Sequence, residues 1–232
     1  MKLTLLYDRI GWEEKALEKK AEAKQICKLH NIPTPRFFLA KDVDEALKYG
    51  EALGYPLAAK IVSPDITHKS DVGGVVLNIK SRGELQRAYQ QLIENASKHA
   101  PHARVLGVLV EEMVLGGVEL AVGMVRDQTF GPTVMFGLGG VFIEVLRDVS
   151  FRVAPLSEDD AREMIGEVRG SRLLEGYRNY PPVDVERLKR ILLTISQLSL
   201  TYPEFSQIDF NPIIAYGSSL WVVDARIFLT NP

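Results

Sequence analysis

QIDFNPIIAYGSSLWVVDARI, residues 207–227, reads as two β-strands, 207–215 and 220–227, joined by a turn at Gly217, Ser218 and Ser219. Side chains two apart on a strand point to the same face, so Asp209 and Asn211 aim together, roughly 7 Å apart at their backbones. A tight hairpin brings Asp224 of the second strand near that surface. Two carboxylates and an amide oxygen suit Mg²⁺, a hard cation that takes oxygen ligands and keeps sites for phosphate. The same acids also suit ordinary strand ends that meet solvent at turns.

Upstream, the middle of the chain is rich in strands. Stretches 105–113, 118–125, 133–136 and 141–146 are β-branched and punctuated by glycine. Ser157 caps a helix running to about Val168, and 185–200 has the spacing of a long amphipathic helix. The first hundred residues alternate instead. A charged helix over 12–30 ends at Pro33 and Pro35, and a strand follows at 36–40. Asp42 with Glu45 caps a helix that stops at Gly54, and 57–62 is an apolar strand. A polar loop spans 63–74, 75–79 is a strand, and Ser81 with Glu84 opens a helix to about Lys98. The character changes near residue 105, which predicts two lobes, 1–104 and 105–232. Strands in runs as well as in alternation with helices point to an α+β fold.

The bulk numbers exclude several classes. With 232 residues, 28 Lys plus Arg and 30 Asp plus Glu, the net charge of -2 draws the chain neither to nucleic acid nor to an anionic membrane. Cys27 is the single cysteine, so no intrachain disulfide forms. The apolar region 105–125 is interrupted by Glu111, Glu112 and Glu119, which argues against a membrane span. The stretch 1–9 is too short for a signal-peptide core, and the expectation is a cytoplasmic protein.

Four further features carry candidate chemistry. Lys60 lies inside the apolar strand 57–62, and a buried ammonium needs a partner: a nucleotide phosphate or a structural carboxylate. His68 lies in the polar loop 63–74, where an imidazole is either a nucleophile toward phosphorus or a surface group. Gly137-Leu138-Gly139-Gly140 is either an anion cradle of backbone N–H groups or a glycine-rich β-turn. Glu111, Glu112 and Glu119 punctuate apolar strands. Each could accept ribose hydroxyls, although Glu111 and Glu112 fit better as edge-strand charges.

The order of these features resembles the ATP-grasp fold, a two-lobed clamp. The matching pieces are Lys60 on an early strand, Val110-Glu111-Glu112-Met113, Gly117-Val118-Glu119, and the closing Asp209-Phe210-Asn211-Pro212 and Val223-Asp224-Ala225-Arg226 pair. Pro64–Gly74, Phe130-Gly131-Pro132, Phe136–Gly140 and Asp148–Arg152 narrow it further. They resemble the β subunit of ADP-forming acetate–CoA ligase, a relative of succinyl-CoA synthetase. The resemblance implies that Lys60 holds ATP phosphates, the 111–113 backbone meets adenine, and Glu119 meets ribose. Asp209, Asn211 and Asp224 would hold Mg²⁺. His68 would be phosphorylated transiently, relaying phosphate between ATP/ADP here and a phosphohistidine on the partner, with the loop glycines permitting its movement. Gly139 and Gly140 would receive the phosphoryl group, with Glu144 nearby. The sequence shows no GxGxxG unit and no CoA-ligase domain. The resemblance therefore implies a separate CoA-binding α subunit in an α2β2 heterotetramer. Two other readings of the same residues are an ATP-grasp carboxylate–amine ligase without a histidine relay and a non-catalytic nucleotide-sensing subunit.

Overall fold

The structure is a computed structural model that describes residues 20–66, 69–178 and 180–229, with the side chains of 20–22, 141 and 144 outside the description. In chain order the elements are α1 (Lys20–Leu29), β1 (Phe37–Ala40), α2 (Val43–Leu53), β2 (Leu57–Val62), β3 (Val75–Ile79), α3 (Arg82–His99) and β4 (Gly107–Glu112). There follow β5 (Val118–Asp127), β6 (Gly131–Leu138), α4 (Val141–Glu144), β7 (Val149–Val153), α5 (Glu158–Glu167), α6 (Val185–Thr201), β8 (Phe205–Tyr216), β9 (Ser219–Val222) and β10 (Ala225–Leu229). Helices and antiparallel sheets together make the expected α+β class. Among the described residues no helix is long and apolar enough to cross a membrane.

Two compact units emerge: Pro35–Val114, and Ala23–Thr34 together with 115–229. The division falls after residue 114, not after 104. β4 is the reason: it lies between β1 and β2 in a four-stranded antiparallel sheet ordered β1-β4-β2-β3. A strand bonded on both edges cannot leave its sheet, whatever the composition around residue 105 suggests.

In Pro35–Val114, alternate residues Leu57, Ala59 and Ile61 of β2 and Val108 and Val110 of β4 are buried with Leu47 of α2 and with Leu85 and Leu92 of α3. The two helices start where their caps dictate. Asp42 accepts from the Glu45 N–H and Ser81 from the Glu84 N–H.

The second unit is built on a six-stranded antiparallel sheet ordered β10-β8-β5-β6-β7, with β9 also on β8. One face, carrying Leu120, Val122, Phe136, Leu138, Ile208 and Phe210, packs on α1, α5 and α6. In α6 the spacing Leu188, Ile191, Leu192, Ile195 and Leu198 makes one buried stripe. Each such side chain contributes about 1.5–3 kcal/mol of apolar burial. Asp184 accepts from the Arg187 N–H at its start.

Three sequence expectations need correction. Residues 141–144 form a single helical turn, not a strand over 141–146. Gly140 turns the chain at φ +58° and accepts from the Ile143 N–H, so the short apolar run coils. Residues 149–153 are an additional strand, β7. Its polar residues face α5, where Ser150 Oγ donates to Glu167 at 2.6 Å and Arg152 is ion-paired with Glu167 and Glu163. Lastly, 220–227 is not one strand. β9 pairs with 213–216 of β8, β10 with 205–210, and Val223 and Asp224 form the break between them.

Candidate active site

Each unit carries its own set of polar residues on the sheet face that its helices leave uncovered. In Pro35–Val114, Lys60 and Glu111 lie on neighbouring strands β2 and β4. In the register Lys60 stands opposite Leu109 and Glu111 opposite Ala58, a diagonal cross-strand pair. Phe37, Val62 and Leu109 form a small apolar cluster on the same face. Lys60 is 6% exposed and Glu111 0%, with Nζ and Oε1 2.5 Å apart. Of the two partners open to Lys60, the structure supplies a carboxylate. Glu111 is accordingly not an edge-strand charge: its strand is interior, and its carboxylate is buried against the ammonium.

Glu112 behaves differently. Its carboxylate accepts from the Arg36 backbone N–H and from Arg36 Nε, both at 2.8 Å. The Arg36 guanidinium also donates to the Leu53 carbonyl at 3.0 Å. The Glu112 and Met113 N–H groups are committed as well, to the carbonyls of Arg36 at 3.0 Å and Pro56 at 3.1 Å. Burial pushes the Glu112 pKa up, but the bonds from Arg36 outweigh it and hold the group below the ordinary carboxylate value. A lowered folded pKa gives stability that is present above the unfolded pKa and lost as pH falls through the folded one. Melts of wild type and Glu112→Gln are therefore expected to differ at neutral pH. They converge as pH falls below the usual carboxylate range.

In the second unit, the face away from the helices carries Glu119, Asp209, Asn211, Asp224 and Arg226. Asp209 pairs in register with Gly123 of β5 on one side and Arg226 of β10 on the other. Leu120 faces Ile213 and Val122 faces Phe210, so Asn211 and Pro212 together oppose the single residue Ala121. Such a bulge re-aims side chains. It also matches the break in the facing strand: the Asn211 N–H donates to the Asp224 carbonyl at 3.2 Å, and the Val223 N–H to the Pro212 carbonyl at 3.0 Å. Asp224 and Asn211 are thereby tied through the backbone. Arg226 reaches Asp224, with a guanidinium nitrogen 3.8 Å from Oδ2.

Among the described residues no three His, Cys, Asp or Glu side chains stand close enough to hold a metal ion between them. The set here offers two carboxylates and an amide oxygen. That donor set fits Mg²⁺, which commonly binds through one or two carboxylates and completes its shell with water and phosphate.

Glu119 and the glycine loop also meet. The Gly139 N–H donates to the Glu119 carbonyl at 2.7 Å. A Cβ at Gly139 would lie 3.0 Å from the Glu119 Cβ, and one at Gly140 3.3 Å from Oε2. At Gly139 the Glu119 backbone and Cβ occupy the space a side chain would need, and Gly140 takes a left-handed φ that favours glycine. Glu144 lies on α4, its side chain outside the description.

A model of the ATP-grasp domain matches residues 12–229. The β subunit of acetate–CoA ligase (ADP-forming) I from Pyrococcus furiosus is 46% identical over 231 residues, covering 96% of this chain and 100% of that one. This chain belongs to the family of ATP-grasp β subunits of ADP-forming acetate–CoA ligases. A solved structure of Ca. Korarchaeum cryptofilum acetyl-coenzyme A synthetase 1 with coenzyme A and Ca-AMPCP matches with a TM-score of 0.91 at 46% identity, over 99% of each chain. A second structure of that synthetase holds coenzyme A and Mg-AMPPCP, its phosphohistidine segment pointing towards the nucleotide binding site. It matches with a TM-score of 0.81 at 44% identity, again over 99% of each chain.

Some of the family-specific motifs of this ATP-grasp subunit are architectural. Asp148 accepts from the N–H groups of Arg169 and Gly170 at 2.8 and 2.9 Å, and Ser150 and Arg152 serve α5. His68 and Thr67 lie outside the described residues. Around them the loop is anchored at both limbs. Asp65 accepts from the Arg104 N–H at 2.6 Å. Gly74 donates to the Lys69 carbonyl at 2.7 Å, and its carbonyl accepts from Ile61 at 2.9 Å. A Cβ at Gly73 would lie 2.7 Å from Asn95 Nδ2, and one at Gly74 2.7 Å from an Ile61 methyl. Gly73, at a left-handed φ of +61°, and Gly74 therefore allow close packing at the loop's return. Sequence reasoning overlooked Arg36 and gave Arg226 no role. Arg226 was within reach of the two-residue rule, since it stands two positions after Asp224 on the strand facing Asp209.

Proposed function

We propose that this chain is the nucleotide-binding subunit of an ADP-forming acyl-CoA synthetase. Together with a CoA-binding α subunit it interconverts acyl-CoA, ADP and phosphate with acid, CoA and ATP. The observation that carries the reading is the acid and amide set on the open face of the second unit, Asp209, Asn211 and Asp224. It lies in a chain matched over 99% of its length by a synthetase structure holding Mg-AMPPCP. Acetate is the acid in the name of the Pyrococcus furiosus relative, and the proposal takes acetyl-CoA as the acyl-CoA. An α2β2 assembly and a cytoplasmic location belong to the same proposal.

The residues divide the work. Asp209, Asn211 and Asp224 would hold Mg²⁺, which when bound neutralises charge on the phosphates. Lys60 brings an ammonium, held in place by Glu111, that would meet phosphate oxygens. Glu119 stands beside Gly139 and Gly140 and offers a carboxylate to ribose. In this segment the committed N–H groups of Glu112 and Met113 leave carbonyl groups as the partners for an adenine amino group. His68 attacks the terminal phosphorus of ATP: an N–P bond forms, the P–O bond to ADP breaks, and ADP leaves with the electron pair. The reverse step makes ATP. Splitting the transfer lets each step proceed with short, positioned contacts.

The test is label transfer. The chain is mixed with its α subunit, Mg²⁺ and γ-labelled ATP, and acid-labile, base-stable label is mapped. Label on His68 that disappears in His68→Ala, together with acyl-CoA synthesis, is the expected result. Intact labelling and turnover in His68→Ala would leave an ATP-grasp ligase without a histidine relay.

A further inference from the structure

Arg226 is under-bonded where it stands. Its guanidinium has five donors in a planar fork. Its contact with the Asp224 carboxylate is 3.8 Å long, beyond hydrogen-bond distance. Its Nε is buried and has no hydrogen-bond acceptor among the described residues. Its side chain is 26% exposed, so the fork is held in the sheet face rather than extended into solvent. In the β10–β8 register it stands directly across from Asp209, on the face that also bears Asn211 and Asp224. A buried donor left without an acceptor is costly, and a ligand oxygen arriving at this face would relieve that cost.

Two physical consequences follow from that position. First, a fixed positive charge between two carboxylates offsets their field and opposes a bare divalent cation. Second, the arginine fork matches the oxygens of a phosphate and can take up an acceptor when a metal engages Asp224. A bare cation brings only the repulsion. A metal carried on a di- or triphosphate brings charge and acceptors together.

We propose that Arg226 is a nucleotide-phosphate ligand that also makes Asp209, Asn211 and Asp224 selective for a phosphate-bound metal over the free ion. The inference rests on the nucleotide-binding role proposed above. It assigns to this site the discrimination between free metal and the metal–nucleotide complex.

The experiment titrates the full chain with Mn²⁺ alone and with Mn²⁺ plus ADP, following free Mn²⁺ by electron paramagnetic resonance. Wild type is compared with Arg226→Met, Arg226→Lys and Asp209→Asn. Removing the positive charge should tighten binding of Mn²⁺ alone by about 3- to 10-fold. The same Arg226→Met change should weaken the Mn²⁺–ADP complex by about 10-fold or more, the usual scale for a lost charge-assisted bond. Arg226→Lys keeps the charge without the fork. It should bind free Mn²⁺ like wild type and Mn²⁺–ADP with intermediate affinity. If both Arg226 variants keep both affinities within about 2-fold, or lose both in parallel, Arg226 is a structural residue and the inference fails. If Asp209→Asn loses Mn²⁺–ADP while the Arg226 variants do not, the nucleotide site stands and only this inference falls. If wild type takes up no Mn²⁺–ADP, both fall. Should Arg226→Met fail to fold, the Arg226→Lys titration decides alone, since loss of the fork by itself must weaken Mn²⁺–ADP.

Discussion

Asp224→Asn is expected to lower Mg²⁺-dependent label transfer to His68 by about 10²- to 10³-fold, the scale of removing one preorganised electrostatic group from a phosphoryl-transfer site. The substitution keeps the shape of the side chain and removes its charge. Asp224 occupies the break between β9 and β10, where its carbonyl accepts from the Asn211 N–H. An asparagine keeps that backbone bond, so the bulge and its partner strand stay in place. Stability should change little, since one negative charge is removed from a face that also holds Asp209. Parallel melting curves and label-transfer rates check the prediction. A chain that melts like wild type yet transfers label at an unchanged rate would remove Asp224 from the metal set. A chain that loses activity only because it unfolds would reassign Asp224 to the architecture of the break.

The hairpin shows what the sequence could and could not reveal. The two-residue period of a strand was enough to put Asp209 and Asn211 on one face and Asp224 near them. That period also contained Arg226, two residues beyond Asp224, but a lone arginine carries no signal until the register places it opposite Asp209. The bulge at Asn211 and Pro212 was hidden because an extra residue in a strand leaves the hydrophobic pattern only locally out of phase. Glu111 was misread for a related reason. An acid in an apolar strand looks like edge protection, and only the strand order β1-β4-β2-β3 shows that its strand is interior. The same order moves the unit boundary to residue 114. Three helix starts were legible, since Asp42, Ser81 and Ser157 cap where their chemistry predicts. The turn at 141–144 was not, because the three apolar residues Val141, Phe142 and Ile143 suit a strand or a buried turn equally until their neighbours are known. Gly73, Gly74, Gly139 and Gly140 were visible as glycines, but their reasons, a close approach to Ile61 and Glu119 at Gly74 and Gly139 and a left-handed φ at Gly73 and Gly140, are not encoded in a linear pattern.

Lys60 and Glu111 allow structure and function to be separated in one set of variants. Lys60→Met is expected to destabilise the chain by about 3–5 kcal/mol, because it leaves a carboxylate with 0% exposure without the ammonium 2.5 Å away. Glu111→Leu should cost a similar amount for the mirror reason: the ammonium keeps its charge on a face lined by Phe37, Val62 and Leu109. The double variant Lys60→Met/Glu111→Leu buries two apolar groups of similar volume in place of two ions. It should recover most of that loss, since removing both charges removes both desolvation penalties. ADP binding should not recover with it, because the phosphate-facing donors of Lys60 are gone. Urea unfolding of the four proteins measures the coupling, and calorimetric titration with Mg²⁺ and ADP measures the binding. Additive stabilities would mean that the two side chains act independently. Recovery of stability and ADP affinity together would make the pair purely structural. Recovery of stability alone is the result that assigns Lys60 to the nucleotide and Glu111 to the task of holding Lys60 in place.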